Sequence, residues 1–262
     1  MATVPTFTMK LIRADEHLKA LNDEVMNFLA IRPYEVITQQ DIPAGYLHAQ
    51  VIYRHAPPDL LLMLIGDVLH NLRSALDHLA WSLARTRADS FTEFPIFIDG
   101  ARFRATDRHS NPVRGSGLHK MHDMPASAQT IIESLQPYKG VHGLPESEPL
   151  WLLQQLGIED KHHTLNLVAA GVDVRLDVST SLRHPAYGLT GRTGYLPLED
   201  GAEIYRIPLP ANPSQVQDHS HSTFDVALDP KGPGRGISLR EGLRNMREAV
   251  VEVIRLLEPL VP

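Results

Sequence analysis

Between Gly66 and Trp81 the chain reads GDVLHNLRSALDHLAW, which gathers Asp67, His70, Asn71, Arg73, Asp77, His78 and Trp81 into one short stretch. At about 100° per residue, Leu62, Ile65, Val68, Leu69, Leu72, Ala75, Leu76, Leu79 and Leu83 fill one arc of a helix. The polar residues and Ser74 fill the opposite arc. An ordinary solvated helix face is made of Lys, Glu and Gln, which form helices well and tolerate exposure. This face has none of them and uses His, Asp, Asn, Ser and Trp instead, as expected of a face that lines a cleft or a polar interface.

Three chemistries fit the face. The first starts from Arg73 and His78, which stand in R-x4-H spacing. The spacing recurs at Arg104/His109 and Arg114/His119, but only the first pair falls in a helical pattern. That pair resembles the motif of HEPN-type ribonucleases, which are helical bundles that dimerise so that two motifs share a cleft. The resemblance implies metal-independent endoribonuclease activity in defence or stress, no cofactor, RNA as partner and a homodimer through the bundle. By the same resemblance His78 handles the proton at the ribose 2′-hydroxyl and Arg73 stabilises the phosphorane charge. Asp67, His70, Asn71, Asp77, Asp160, Lys161 and His162 would support them. The wider set GDVLHNLRSALDHLAW, LQPY and PLWLLQQLGIEDKHHTL is similar to a group of bacterial proteins that share the GDxLHNLRSALDHL motif, and implies a shared fold.

The second chemistry is a metal site. Asp67-x-x-His70 on this helix and Glu159-x-x-His162 on IEDKHH (with Asp160-x-x-His163 one step on) place a carboxylate and an imidazole on one helix face, as in carboxylate-bridged metal bundles. The third is a non-catalytic binding or interaction protein. Its polar face is then a buried network, with Asp67, His70, Arg73 and Asp77 paired to IEDKHH or to Arg244 and Arg247.

These residues need a scaffold, and the rest of the chain reads as one. Residues 12–31 predict an amphipathic helix ended by Pro33. YEVITQQ and YLHAQVIYRH, joined by DIPAG, predict a β-hairpin over 34–55. The helix of the opening motif is expected over 58–87. FTEFPIFID reads as a short extended segment and 100–124 as loop. SAQTIIESLQPY is a short helix stopped by Pro137, and one or two helices surround Gly157. From about 172, VDVRLDVS, GLTGRTGYLPL, AEIYRIPLP and STFDVALD alternate like antiparallel strands. SLREGLRNMREAVVEVIRLLEPL is a second amphipathic helix, with Ser238 placed to cap it. The expected fold class is α+β: a helical bundle with an N-terminal β-hairpin and a small antiparallel β-rich insert before the C-terminal helix. It forms one domain over 1–262, with the helical part at about 12–170 and 236–260 and the insert at about 171–235.

Composition narrows the classes. The chain of 262 residues has no cysteine, so disulfides, thiolate zinc sites and Cys nucleophiles are excluded. Net charge is −6, which provides no global field for nucleic acid. Of the 25 basic residues 19 are Arg, which suits bidentate contacts to carboxylate or phosphate. MATVPTFTMKLIRADEHLKA has no signal-peptide pattern and no apolar run is long enough to span a bilayer, so a cytoplasmic protein without membrane partners is expected. GLTGRTG and DPKGPGRG lack the phosphate-loop pattern and read as turns. Asp218, His219 and His221 read as a loop cluster.

Overall fold

A computed structural model describes residues 4–84, 88–140, 144–162, 165–175, 178–180, 196–209, 216–218, 221–234 and 236–262. His163, His219 and the GLTGRTG turn lie outside them, as do the side chains of Asp218 and His221. In chain order the elements are α1 (Thr6–Ala30), β1 (Tyr34–Asp41), β2 (Tyr46–Tyr53), α2 (Asp59–Ala84), α3 (Gly100–Phe103), α4 (Gly117–Lys120), α5 (Ala126–Ser134) and α6 (Pro149–His162). Then follow β3 (Leu167–Arg175), β4 (Val178–Thr180), β5 (Leu196–Leu198), β6 (Glu203–Pro208), β7 (Val216–Asp218), β8 (His221–Leu228) and α7 (Leu239–Leu257). The chain is α+β, with an N-terminal antiparallel hairpin and further antiparallel pairing before the last helix.

By packing, the chain divides into two compact units. The first comprises Met1–Leu21, Leu62–Leu165 and Glu241–Pro262, and the second Asn22–Leu61 and Asn166–Arg240. The hairpin joins the later strands: β2 pairs with β1 on one side and with β6 on the other. An edge strand with free N–H and C=O groups gains a second ladder this way.

In the second unit, the β1–β2 register sets Tyr34 opposite Tyr53 and Asp41 opposite Tyr46. The turn is closed by Gly45, whose φ of 74° favours glycine, and by Ala44 N–H donating to the Asp41 carboxylate. Strands β5, β3 and β8 form a second antiparallel sheet, with Val168, Ala170 and Ala227 packed together. Tyr34 packs edge-on to Phe28 and Phe224 and tilted against Tyr53, with ring centroids 4.8–5.8 Å apart. Burial, and then the charges of Tyr53 and Asp225, push its phenol well above the ordinary value.

The first unit holds the opening motif. The apolar arc of α2 is buried from Ile65 onward: Ile65, Val68, Leu72, Leu76 and Leu79 are all solvent-free, while Leu62 at its start is half-buried. So are Leu243, Met246 and Val250 of α7, which shows where that helix's apolar stripe goes. α1 begins at Thr6, earlier than the charge pattern suggested, because Phe7 is buried and anchors the first turn. α2 ends at Ala84 among the described residues. α6 runs unbroken through Gly157.

The stretch 100–124 is not a plain loop. Asp99 and Ser116 cap two short helices, and Phe103 and Met121 are buried. Polar, glycine-rich composition concealed this, because the order comes from caps and two apolar anchors rather than from a long periodic pattern.

FTEFPIFID is extended but joins no sheet. Several of its backbone polar groups are taken by side chains: Trp81 Nε1 donates to Thr92 O at 2.9 Å, and Phe94 N donates to Asp77 Oδ1 at 3.1 Å. The buried amide of Gln136 donates to Pro95 O at 2.8 Å and accepts from Phe97 N at 2.9 Å. A buried backbone must find partners somewhere, and here α2 and Gln136 supply what a neighbouring strand otherwise would.

Candidate functional site

The polar face of α2 splits into two halves with different work. In the C-terminal half, Arg73 Nη2 donates to Asp77 Oδ1 at 2.9 Å and to Phe94 O at 2.7 Å, with Glu93 Oε2 3.6 Å away. Glu93 is also paired with Lys120 at 2.7 Å. Asp77 is mostly buried, which raises its carboxyl above the ordinary value. The Arg73 charge and the Phe94 N–H pull it back. This half is a clamp that holds residues 88–97 on the helix.

The N-terminal half is open. A cleft of about 620 Å³ is lined by Asp67, His70 and Arg73 of α2, by Gly157, Asp160 and Lys161 of α6, and by Glu93 and Lys120. Leu62, Leu69 and Leu153 give it an apolar wall, and Met63 and Ile158 flank it, 67% and 45% exposed. Gly66 lets the helices approach: a Cβ there would lie 2.9 Å from both Asp160 carboxylate oxygens. Asp160 therefore sits against the α2 backbone beside Asp67. Burial, and then the Asp67 charge, raise the Asp160 carboxyl above its ordinary value, while Lys161 and His70 lower it. Asp67 itself has His17 Nδ1 3.6 Å away.

The raised Asp160 carboxyl has a sign that can be checked. Above the ordinary value of 3.8 and up to its raised folded value, the folded state holds more protons than the unfolded state. Stability therefore falls as pH rises through that window. Asp160→Asn should flatten that part of the slope and be at least as stable as wild type at neutral pH, as read by urea unfolding across the pH series. A wild type and variant with parallel slopes would contradict the assignment.

The structure brings Asp67, His70, Arg73, Asp160 and Lys161 to one cleft but leaves His78 outside it. Five residues turn a helix through about 140°, so Arg73 and His78 look in different directions. The His78 imidazole makes no hydrogen bond or ion pair with a described residue; only its backbone is engaged, with Ser82 Oγ at 2.8 Å. Asn71 is buried and donates to Asp67 O at 2.8 Å, a contact internal to the helix.

The metal alternative is not assembled among the described residues. Among the described residues no three His, Asp or Glu side chains converge on a point. Asp67 and His70 face the cleft, but His162 is exposed at the end of α6 and neither it nor Glu159 lines that cleft. Arg247 is likewise not a partner of α2: it makes a two-pronged pair with Asp15 at 2.9 and 3.0 Å. At the other R-x4-H pairs, Arg104 is held by Glu133, and Arg114 lies 4.7 Å over the Phe91 ring.

No family model, curated protein or solved structure matches the chain. No described helix is long and apolar enough to cross a membrane. Sequence reasoning missed Gln136, Glu93 and Lys120. Glu93 and Lys120 lie in stretches without helical periodicity, so nothing in spacing ties them to α2. For Gln136 the sole signal is a polar residue between Leu135 and Pro137 at a helix end.

Proposed function

We propose that this chain is a non-catalytic binding protein and that the α2–α6 cleft is its ligand site. One observation carries the reading. Nη2 of the guanidinium expected to meet phosphate is already bonded to Asp77 and Phe94 O, whereas the carboxylate half of the same face opens into a concave space with an apolar wall. Small-molecule sites combine such a wall with a few convergent polar groups. Plugging the cleft tests it. A Cβ at Gly157 meets nothing within 4 Å, so Gly157→Leu should fold and abolish ligand-induced thermal stabilisation.

The second reading is metal-independent RNA cleavage through His78. It is favoured by one observation, that the imidazole is half-buried and free of described partners, and so is available to a substrate. Its test is RNA cleavage with EDTA present. Cleavage by wild type and loss of it in His78→Ala would support this reading; no cleavage by wild type across varied RNAs would remove it.

A further inference from the structure

Charge is spread unevenly along the chain. Residues 102–122, RFRATDRHSNPVRGSGLHKMH, carry five Arg and Lys against one carboxylate, within a chain of net charge −6. That carboxylate, Asp107, accepts from the backbone N–H groups of His109 and Asn111. The turn it shapes is closed by a Thr106–Pro112 bridge and carries Arg108. Arg104 is held by Glu133 and Lys120 by Glu93. Arg102, Arg108 and Arg114 are exposed and pair with no carboxylate among the described residues. Two aromatic rings stand in the open beside this stretch. The Arg114 guanidinium lies 4.7 Å from the Phe91 ring centroid, and His119 meets the same ring edge-on at 5.1 Å. Phe91 is 37% exposed and Trp81 50% exposed. Both are anchored: the Trp81 indole N–H donates to Thr92 O, and the Phe91 backbone N–H donates to Asp89 Oδ1.

We infer that this surface binds single-stranded nucleic acid, with bases stacked on Trp81 and on the Phe91–Arg114 pair and a backbone phosphate on Arg108. Free arginines alone call only for an anion. The exposed rings call for more, because large aromatic side chains are mostly buried. Strand binding uses both, since cations track the backbone and aromatic faces take bases of any sequence. An arginine plane is itself a stacking surface for a base. A double helix keeps its base faces inside the stack and offers the rings nothing. The chain turns back between Arg108 and Arg114, so their Cα atoms lie less than about 20 Å apart, within reach of one short strand. None of Trp81, Phe91, Arg108, Arg114 and His119 lines the α2–α6 cleft. The inference therefore goes beyond the cleft and does not rest on it, and it needs no cleavage by His78.

The probe is fluorescently labelled oligo(dT), whose sugars lack the 2′-hydroxyl that the cleavage reading requires. Anisotropy titrations over a salt series compare it with a DNA duplex of the same length and with heparin, a polyanion without bases. The proteins are wild type, Trp81→Leu, Arg114→Lys and Arg108→Ala, each first shown to be folded by circular dichroism. Arg114→Lys keeps the charge and removes the plane, and as a change at an exposed residue it carries the test if Trp81→Leu does not fold. Wild type should bind oligo(dT) more tightly than duplex. Trp81→Leu and Arg114→Lys should each weaken oligo(dT) binding about fivefold or more, the effect of losing one stacked base, and leave heparin binding unchanged. Arg108→Ala should weaken both and reduce the slope of log affinity against log salt by about 0.7, one phosphate contact on a single strand. No binding of oligo(dT) by wild type, or duplex binding of equal strength, overturns the inference. So does full affinity for oligo(dT) in Arg114→Lys, or a loss in that variant that heparin shares, either of which makes the surface a bare polyanion patch. None of these outcomes touches the cleft, whose own test is Gly157→Leu.

Discussion

Arg73→Ala should destabilise the protein by about 2–3 kcal/mol. Removing one partner of a largely buried, hydrogen-bonded ion pair costs roughly 3–5 kcal/mol. The pair here is discounted because the side chains of Arg73 and Asp77 remain 21% and 32% exposed. The loss has a specific address. Without the guanidinium, Phe94 O loses a donor at 2.7 Å, and Asp77 is left partly desolvated with a raised carboxyl and no cation. Hydrogen exchange of the Phe94 amide, which Asp77 accepts at 3.1 Å, should speed up more than exchange in the α2 core. Urea unfolding reads the global loss. A variant within about 0.5 kcal/mol of wild type, the range of ordinary surface substitutions, would mean that Arg73 is not a clamp and would return it to the role of a free phosphate-binding group.

Gly117→Ala should be at least as damaging, with a loss of about 3 kcal/mol. A Cβ at Gly117 would overlap the Phe103 ring, and that ring is solvent-free and edge-on to both Phe97 and Tyr138. Overpacking a filled core costs typically 1–3 kcal/mol, and this contact is much closer than any side-chain adjustment of a trapped ring can relieve. Thermal unfolding of Gly117→Ala against wild type gives the answer; an unchanged midpoint would show that Phe103 is not fixed where it stands.

The long periodic elements were legible in the sequence because burial and period coincide in them. The apolar arc of α2 from Ile65 to Leu83 and the stripe of α7 from Leu239 to Leu257 are buried as their spacing predicts. The hairpin was legible from its alternation and from the turn residues around Gly45. Its pairing with β6, itself readable as the strand AEIYRIPLP, was not, since nothing local in YEVITQQ or YLHAQVIYRH records a partner about 150 residues away. FTEFPIFID shows the opposite limit. Its composition reads as strand, yet side chains from Trp81, Asp77, Arg73 and Gln136 replace the sheet. At the site, the helix spacing did place Asp67, His70 and Arg73 on one face. It did not show that a segment passing at Phe94 engages Arg73 Nη2 through Asp77 and Phe94 O, while Asp67 and His70 line the open cleft. R-x4-H spacing carries the same limit: it fixes separation along a helix, not which wall each side chain meets.

The central claim, that the α2–α6 cleft binds a ligand while the Arg73 half of the face holds the fold, is tested most directly by comparing wild type with Gly157→Leu. Both proteins are screened for thermal stabilisation by small amines, amidines, carboxylates, sugars and nucleosides. Replacing a helical glycine gains about 0.5–1 kcal/mol of helix propensity, so the plugged variant should melt no lower than wild type. At about a hundredfold excess over its dissociation constant, a ligand adds about 2.7 kcal/mol, an upshift of roughly 5 °C or more for a chain of this size. The account predicts that upshift in wild type for at least one class and none in Gly157→Leu. Equal upshifts in the two proteins, or no upshift in wild type, would contradict it.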